Sequence, residues 1–412
     1  MVSFDQAIQS ILEAITPVQD EACALRSIHG RVLAEDVIAL MDVPPFDNSA
    51  MDGFALRSED TAGARLGHPL SLNVSAEVSA GESSAKSLRK GSAFRILTGA
   101  PIPAGANAVI EQEQVKLENG RVSLEAPVSS GRNIRLRGED VTRGTCVLSR
   151  GMILHAARVG VVASLGIESL RVYKTPRVAV LPTGNELVEV GKPLSDGKIH
   201  DSNSYTLQGL VRETACEPIP ISPASDSMDD LKEKLRLGLA ADALITAGGV
   251  SVGTRDLVLQ VLRELGVEVL FWKVNIKPGM PFAFGLHRPH GVSRTVPVFA
   301  LPGNPVSAMV TFLQFVRPAL QKMMGISTQS EGVTLRATLE HDYEKTDGKL
   351  HFARGVLRNE NGKLIVRTTG SQSSGVLTSL SSANCLIIIR ESESLVRAGS
   401  EVEVQLIREV EK

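Results

Sequence analysis

The chain has 412 residues, 43% of them hydrophobic and 22% charged, so it is long enough to form two to four compact units that each bury a core. Its formal net charge of −2 leaves no basic excess to neutralise a phosphate backbone, which argues against a nucleic acid partner. No stretch is apolar over a membrane-spanning length, and the first residues lack the basic and apolar regions of a signal peptide, so we expect a cytoplasmic protein without a membrane contact.

The first predicted element is an amphipathic helix. Apolar residues recur at helical spacing between Phe4 and Ile15, and the pattern stops near Pro17. Ser3 and Gln6 fit a capping box at its start. One face of this helix is therefore expected to pack against another part of the protein.

A β-rich unit is predicted after this helix, between Ala55 and about Ser130. Gly, Pro and Asn separate its short β-like runs, which cover residues 70–74, 94–97, 108–111 and 121–124. The next segment, 133–172, mixes short strands with a helix-like stretch at 156–165. We expect this segment to join the N-terminal segment around the inserted β unit.

Strand-like and helical runs alternate from Arg177 onwards, which predicts parallel strands with helices on both faces. These runs cover residues 178–181, 204–212, 218–221, 228–239, 243–246, 256–265 and 267–271. Strands at 282–286 and 296–300 are expected to form an antiparallel hairpin, and a long helix is predicted at 305–324.

The last part of the chain contains strand-like runs separated by turns such as Asp347-Gly348, which predicts a small β-barrel. The expected architecture is multidomain α/β plus β. Its predicted parts are an N-terminal mixed domain, discontinuous at 1–50 and 133–174, an inserted β-rich domain at 51–132, a parallel-sheet α/β domain at 175–326 and a C-terminal β-barrel domain at 327–412.

The four cysteines lie far apart and lack the paired spacing of a zinc site or redox motif, so we expect reduced and mostly buried packing residues. They are Cys23, Cys146, Cys216 and Cys385. His287 and His290 lie in a stretch with Pro and Gly, which favours a surface loop over a metal site.

Ligands of open α/β sheets bind beyond the carboxyl ends of the strands, so the loops after residues 181, 247 and 301 are candidate binding loops. The second is rich in glycine, and its backbone N–H groups could cradle a phosphate or pyrophosphate. Its candidate residues are Gly248, Gly249, Ser251 and Gly253. The loop has P-loop glycine spacing but Thr254 where that motif needs Lys, and a tight turn without a ligand is the alternative.

The third loop contains Pro302, Asn304 and Pro305 at the start of the long helix. Pro305 is expected at the first helical position and Asn304 as the cap. The positive end of this helix would then face the same cleft as the glycine-rich loop.

Several acidic residues follow the predicted strands: Glu186, Asp201, Asp226 and Asp256. Acids beside a phosphate site require a cation, and Mg²⁺ suits one or two carboxylates together with phosphate oxygens. Each aspartate taken alone is better explained as a helix cap or a solvated residue. Lys273 and Lys277 could supply positive charge near the sheet edge or could simply be surface residues.

Two segments outside the α/β unit are also unusual. Residues 44–55 form a stiff, turn-rich loop with two acids, a type that is often functional. Residues 131–140 alternate three arginines with apolar residues and end in Gly-Glu-Asp, and their alternative interpretation is a solvated strand face.

These segments together resemble the molybdopterin molybdenumtransferase family, which also supplies one domain of gephyrin. The matching stretches are P-P-F-D-N-S-A-M-D-G-F-A, L-T-G-A-P-I-P, N-I-R-L-R-G-E-D, T-G-N-E-L, T-A-G-G-V-S-V-G, F-W-K-V-N-I-K-P-G, L-P-G-N-P-V-S-A and F-A-R-G-V-L. The resemblance covers nearly all of the chain. It implies a homodimer with its active site at the subunit interface, and a central domain similar to molybdopterin adenylyltransferase, which is also an expected transient partner.

The reaction that the resemblance implies inserts molybdenum from molybdate into adenylyl-molybdopterin: the phosphoanhydride is cleaved, AMP leaves, and the substrate's dithiolene sulfurs bind molybdenum. The acids implied to be catalytic are Asp52, Asp140, Glu186, Asp226 and Asp256. The last three of them are the expected Mg²⁺ ligands. The residues implied to lie near the substrate or oxyanion are Thr98, Lys273, Lys277, Pro302, Pro305, Arg354 and Ser374.

One departure from the family pattern concerns residue 185, where Asn185 stands in place of the usual Asp. Asn185 keeps the hydrogen-bonding shape but loses the charge, so we assign no metal role to it and rely on Glu186. Two alternative functions stay open at this point: a tungstate-inserting homologue, because the two oxyanions are nearly identical, and a gephyrin-like scaffold.

Overall fold

We describe a computed structural model of the chain, for residues 1–82, 86–249, 257–291, 294–326 and 334–408. Within these ranges, no helix combines the length and the apolar character needed to cross a membrane.

The N-terminal part begins with the predicted helix, Phe4–Ala14. Its capping box is confirmed: the Ser3 side chain accepts a hydrogen bond from the backbone of Gln6, whose side chain accepts one from Ser3. Strands on either side of the inserted β unit pair with each other. These antiparallel pairs are Asp20–Ala24 with Ser169–Tyr173, Val37–Ile38 with Cys146–Leu148, and Asn48–Ser49 with Ile134–Arg135. The helix Ala156–Ser164 buries Val162 in the core between them.

The β unit is a six-stranded sheet with a core on each face. Its strand order is Ala108–Glu111, Gly53–Leu56, Ser92–Ile96, Leu70–Val78, Arg121–Leu124 and Lys116–Glu118. All neighbours are antiparallel except the third and fourth strands, which are parallel. The prediction of a β-rich unit is confirmed.

The α/β unit contains a second six-stranded sheet. Its strand order is Glu217–Pro220, Arg177–Pro182, Ala243–Ala247, Val296–Leu301, Ala283–His287 and Val267–Trp272. The first four strands are parallel and the last two pair antiparallel, so the predicted parallel sheet and hairpin are both confirmed. Alternate side chains enter opposite cores: Val178 and Val180 face one layer of helices, whereas Ala179 and Leu181 face the other.

The helices of this unit are Asn203–Glu213, Met228–Gly238 and Leu257–Glu264, followed by the long helix predicted at 305–324. The long helix is interrupted. It consists of Pro305–Thr311, a π-helical turn at Phe312–Val316, and Arg317–Met323. A π-turn changes which face of the helix the following side chains occupy. A hydrophobic pattern with a period of 3.6 residues does not predict such a turn.

The C-terminal part is a closed barrel of five strands, as predicted. They are Thr334–Leu339, Leu350–Glu360, Lys363–Thr368, Cys385–Ile389 and Glu401–Leu406. Pairing of the second strand with both the third and the fourth closes the ring. The short strand Ile276–Lys277, which comes from the α/β unit, adds to the second strand in parallel.

Four phenylalanine rings join these parts. Phe4 of the first helix contacts Phe315 of the π-turn at a centroid distance of 5.5 Å and Phe352 of the barrel at 5.4 Å. Phe315 stacks on Phe282 at 4.6 Å. One continuous core therefore spans the first helix, the α/β unit and the barrel.

Three of the four cysteines are buried, as expected, whereas Cys146 is exposed. Burial raises the pKa of the Cys216 and Cys385 thiols to about 12. Both thiols therefore stay protonated at neutral pH and act as small packing groups.

We predict that Phe315→Ala lowers the free energy of unfolding by about 3–5 kcal/mol, because it removes a buried ring from the joint core. Urea unfolding followed by circular dichroism measures this change. Leu66→Ala is the control, since Leu66 is 82% exposed and its loss should cost within about 0.5 kcal/mol. Equal stability of the two variants would contradict a joint core.

Candidate active site

A cleft of about 760 Å³ lies at the carboxyl edge of the α/β sheet. The loops that follow the strands ending at Pro182, Ala247 and Leu301 form it, as the sheet topology predicts. Its lining includes Thr183, Gly184, Asn185, Glu186, Asp201, Asn203, Asp226, Gly248, Gly249, Pro302, Gly303, Asn304 and Pro305. Polar groups and glycines dominate this lining, which suits a charged ligand.

Gly248 and Gly249 form the described part of the glycine-rich loop. Their φ angles are +107° and +67°, and a Cβ would lie 2.4 Å from the carbonyl oxygen of Thr183 at the first position and 2.4 Å from Cγ2 of Val258 at the second. Both positions therefore require glycine for conformation and for space. Ser251, Gly253 and Asp256, which complete the predicted loop, lie outside the described residues.

Glu186 and Asp226 bring two exposed carboxylates to the cleft. Asn185 connects them: its Oδ1 accepts the backbone N–H of Asp226 at 3.0 Å, and its own N–H points to Oδ2 of Asp226 at 3.4 Å. Nζ of Lys198 donates to the carbonyl oxygen of Asn185 at 2.5 Å. The turn thus holds the Asp226 carboxylate in place, and the ammonium group of Lys198 binds the backbone of the same turn.

Asp201 has a different role from that of the other acids. It is buried, and Oδ1 accepts the backbone N–H of Ser204 at 3.0 Å, in the first turn of the helix Asn203–Glu213. The helix-cap interpretation therefore applies to Asp201. Nδ2 of Asn203 donates to the carbonyl oxygen of Gly303 at 2.7 Å and ties two loops of the cleft together.

Pro305 occupies the first turn of its helix and Asn304 its N-cap position, as predicted, but the Asn304 side chain makes no capping hydrogen bond. Nδ2 of Asn304 donates to Oγ of Ser374 at 2.9 Å, and the N–H of Val306 donates to the carbonyl oxygen of Ser374 at 3.3 Å. The barrel therefore supplies the helix-capping acceptor. A local sequence pattern does not contain this partner, because it lies 70 residues away.

Arg354 is almost completely buried, with 1% of its surface exposed. Its guanidinium donates to Oγ of Ser379 and to the carbonyl oxygens of Ser371 and Ser373. Burial lowers the pKa of this group. In this chain Arg354 organises the loop that carries Ser374, and it reaches the cleft through that loop.

Lys273 and Lys277 lie beyond the strand Val267–Trp272, towards the barrel, and neither belongs to the lining of the cleft. Lys273 has a positive φ of 72°, and its ammonium lies 3.9 Å from the ring centroid of Trp272. Nζ of Lys277 donates to Oδ2 of Asp347 at 3.0 Å. Both ammonium groups are therefore held by contacts within their own chain.

Asp52 and Thr98 form a second candidate group, in the β unit. The hydroxyl and the N–H of Thr98 both donate to Oδ1 of Asp52 at 2.7 Å. These two hydrogen bonds hold the pKa of the Asp52 carboxyl below its usual range. A Cβ on the adjacent Gly53 would lie 1.9 Å from the carbonyl oxygen of Ile110, so the Asp-Gly pair lets the chain turn tightly into the sheet.

The two unusual segments outside the α/β unit meet at this second group. Ile134 and Arg135 pair antiparallel with Ser49 and Asn48. The N–H of Asp140 donates to the carbonyl oxygen of Val43 at 3.0 Å. This hydrogen bond fixes the backbone of Asp140 beside Val43, and Asp140 is exposed.

The sequence interpretation missed two contributors to the cleft, Thr183 and Asn203. Thr183 is 3% exposed, and its hydroxyl has no hydrogen-bond partner within the described structure. It belongs to T-G-N-E-L, so the motif contained the signal. Among the described residues, no cluster of three or more His, Cys, Asp or Glu could hold a metal ion.

The chain matches known proteins along most of its length. Three family models match: "MoeA N-terminal region (domain I and II)" at residues 2–166, "Probable molybdopterin binding domain" at 179–322 and "MoeA C-terminal region (domain IV)" at 336–407. The chain is similar to the structure of a molybdopterin biosynthesis moeA protein from Pyrococcus horikoshii OT3, with a TM-score of 0.84 and 36% identity, covering 98% of this chain and 100% of that one.

Curated relatives agree over the same length. The molybdopterin molybdenumtransferase of Haemophilus influenzae is 39% identical over 98% of both chains. That of Bacillus subtilis is 34% identical over 99% of this chain and 94% of the relative. The chain therefore belongs to the molybdopterin molybdenumtransferase family.

Proposed function

We propose that this protein transfers molybdenum from molybdate to adenylyl-molybdopterin and releases AMP. The family relationship along the whole chain supports the reaction class. The observation that carries the proposal is the cleft, which combines a glycine turn of restricted conformation with the carboxylates of Glu186 and Asp226. Backbone N–H groups attract phosphate oxygens, whereas carboxylates require a cation between themselves and the phosphate.

We infer that the cation is Mg²⁺. It commonly takes one or two carboxylates and completes its shell with phosphate oxygens and water, so it needs no cluster of three protein ligands. Glu186 and Asp226 fit this requirement and would hold the ion, with Asp256 as the third predicted ligand. When bound, Mg²⁺ would neutralise phosphate charge.

The remaining predicted residues have distinct proposed roles. Lys273 and Lys277 would bind anionic groups of the substrate or the oxyanion. Pro302 and Pro305 would shape the wall of the cleft, and Ser374 would hold the start of the helix that carries Pro305. Because the substrate carries AMP already, an adenylating enzyme must supply it, and we propose that molybdopterin adenylyltransferase does so by transient contact in the cytoplasm.

We further propose a homodimer whose active site takes Asp52, Thr98 and Asp140 from one subunit and the cleft from the other. These three residues do not line the cleft of their own chain. Large exposed apolar side chains lie on the same loops, and such a concentration is typical of an interface. They are Leu40, Met41, Phe46, Met51 and Leu136.

The first test follows AMP release from adenylyl-molybdopterin with molybdate and Mg²⁺. We predict that Glu186→Gln reduces the rate about a hundredfold or more, because it removes a charged ligand while keeping the shape. Asp242→Asn is the matched control, since Asp242 accepts a hydrogen bond from the backbone N–H of Arg177 at the opposite edge of the sheet. Parent-like rates for Glu186→Gln, or release that ignores molybdate, would refute the assignment. Tungstate in the same assay measures oxyanion preference.

The second test concerns the glycine turn. We predict that Gly249→Ala weakens binding of adenylyl-molybdopterin about tenfold or more, because its Cβ would displace the turn that approaches the phosphates. Gly266→Ala is the control: its φ of +79° imposes similar backbone strain, but a Cβ there meets nothing within 4 Å. If both variants bind like the parent, the loop is a connector without a phosphate role.

The third test mixes subunits. Asp52→Ala and Glu186→Ala are each predicted to abolish AMP release in homodimers. In heterodimers that carry one variant subunit of each kind, one of the two shared sites retains both acids, so activity should return to about half of the parent value per dimer. Sedimentation verifies dimer formation. Inactive heterodimers would contradict a shared site.

A further inference from the structure

Lys277 belongs to the α/β unit in sequence but to the barrel in structure. Ile276 and Lys277 pair in parallel with Leu350 and His351 of the barrel. Nδ2 of Asn275 also donates to the carbonyl oxygen of Gly348 at 3.3 Å. The barrel therefore fixes the backbone from which the Lys277 side chain extends.

A chain of hydrogen bonds leads from the barrel to the ammonium group of Lys277. Nζ of Lys277 lies 3.0 Å from Oδ2 of Asp347, Nε2 of His351 lies 2.8 Å from Oδ1, and Nδ1 of His351 lies 3.0 Å from the hydroxyl of Tyr343. A carboxylate only accepts, so Nε2 of His351 carries the proton. In the neutral ring Nδ1 then accepts from Tyr343.

The burial and the charges of these side chains agree with this assignment of hydrogen-bond donors and acceptors. Burial lowers the pKa of His351 and thereby favours the neutral ring, although Asp347 opposes this effect. Burial also disfavours ionisation of Asp347, but hydrogen bonds from Lys277 and His351 hold the pKa of its carboxyl well below its usual range. The side chain of His351 is 5% exposed and that of Lys277 is 55% exposed. The chain of hydrogen bonds is therefore buried at His351 and exposed to solvent at Lys277.

We propose that Asp347 is a positioning residue for Lys277. Asp347 holds the ammonium group of Lys277 in place for an anionic group of the substrate, an inference that rests on the proposed function. A free lysine side chain samples many rotamers, and fixing it before binding reduces the entropy that binding must remove. An ion pair with a half-exposed lysine contributes little to stability, so stability alone does not explain this arrangement.

The test uses Asp347→Asn. The amide oxygen can still accept from Nε2 of His351, so the barrel should keep its fold, whereas the charge that holds Lys277 is lost. We expect KM for adenylyl-molybdopterin to rise about five-fold, the equivalent of a weak ion pair, and kcat to stay within about two-fold. In a Lys277→Ala background the same substitution should have no further effect, because Asp347 acts through Lys277.

Asp342→Asn is the matched control. Asp342 accepts from Nη1 of Arg397 at 2.8 Å and from the N–H of Ala398 at 2.7 Å, also in the C-terminal part. This variant loses a comparable ion pair and should leave KM unchanged. A rise in KM for both variants would indicate a general effect on the barrel and would overturn the inference.

A second measurement does not depend on turnover. Trace labelling of the full protein with acetic anhydride, read by mass spectrometry, reports the reactivity of the Lys277 side-chain amine, which is acetylated in its unprotonated form. Release from Asp347 should increase this reactivity in Asp347→Asn and leave that of Lys322 unchanged. Unchanged reactivity of Lys277 would overturn the inference.

The outcomes separate this inference from the proposed function. If Lys277→Ala raises KM but Asp347→Asn does not, the positioning role is wrong and the proposed function stands. If the parent protein releases no AMP, the proposed function is wrong, while labelling still decides whether Asp347 holds Lys277.

Discussion

The contact among the rings of Phe4, Phe282, Phe315 and Phe352 is the interaction on which the rest of the structure depends. Phe282, Phe315 and Phe352 are each at most 2% exposed, and burying a phenylalanine side chain contributes about 1.5–3 kcal/mol. Their rings belong to the α/β unit and the barrel, and Phe4 adds the first helix. A shared core of this kind resists hinge motion, so loops of the barrel keep their place relative to the cleft.

Two polar contacts of the barrel use that fixed orientation. Arg354 organises the loop of Ser374, which accepts hydrogen bonds at the first turn of the helix beginning at Pro305. Asp347 holds the ammonium of Lys277. Hydrogen bonds to charged groups contribute about 1.5–3 kcal/mol, but their geometry tolerates little displacement. The apolar contact therefore sets the orientation, and the polar contacts position individual groups.

The fold could be predicted from the sequence to the extent that its signals are local. Alternation of strands and helices after Arg177 predicted the parallel sheet, and the turn residues predicted the barrel. The residues that line the cleft could be predicted where a motif follows a strand, as at Glu186 and Gly248. Contacts between distant segments could not: Asn304 has a cap-forming side chain in sequence, yet its partner is Ser374. Periodicity also contains no information about a π-turn.

The turn at residue 185 needs a side chain that accepts a hydrogen bond, but it does not need a negative charge, as Asn185 shows. Its side-chain oxygen must be the atom that faces the N–H of Asp226, because that group donates, and this contact orients the amide. A carboxylate at this position would accept the same hydrogen bond, so the turn does not require a charge there. It would, however, place a second negative group beside Asp226, and two neighbouring like charges disfavour each other's ionisation.

Because Asp201 accepts a hydrogen bond from the helix beginning at Asn203, the described carboxylates of the cleft that are open to a cation are those of Glu186 and Asp226. In the proposed site, two such groups would bind Mg²⁺ weakly on their own and more strongly once phosphate oxygens complete the shell, which would couple the arrival of the metal to that of the substrate.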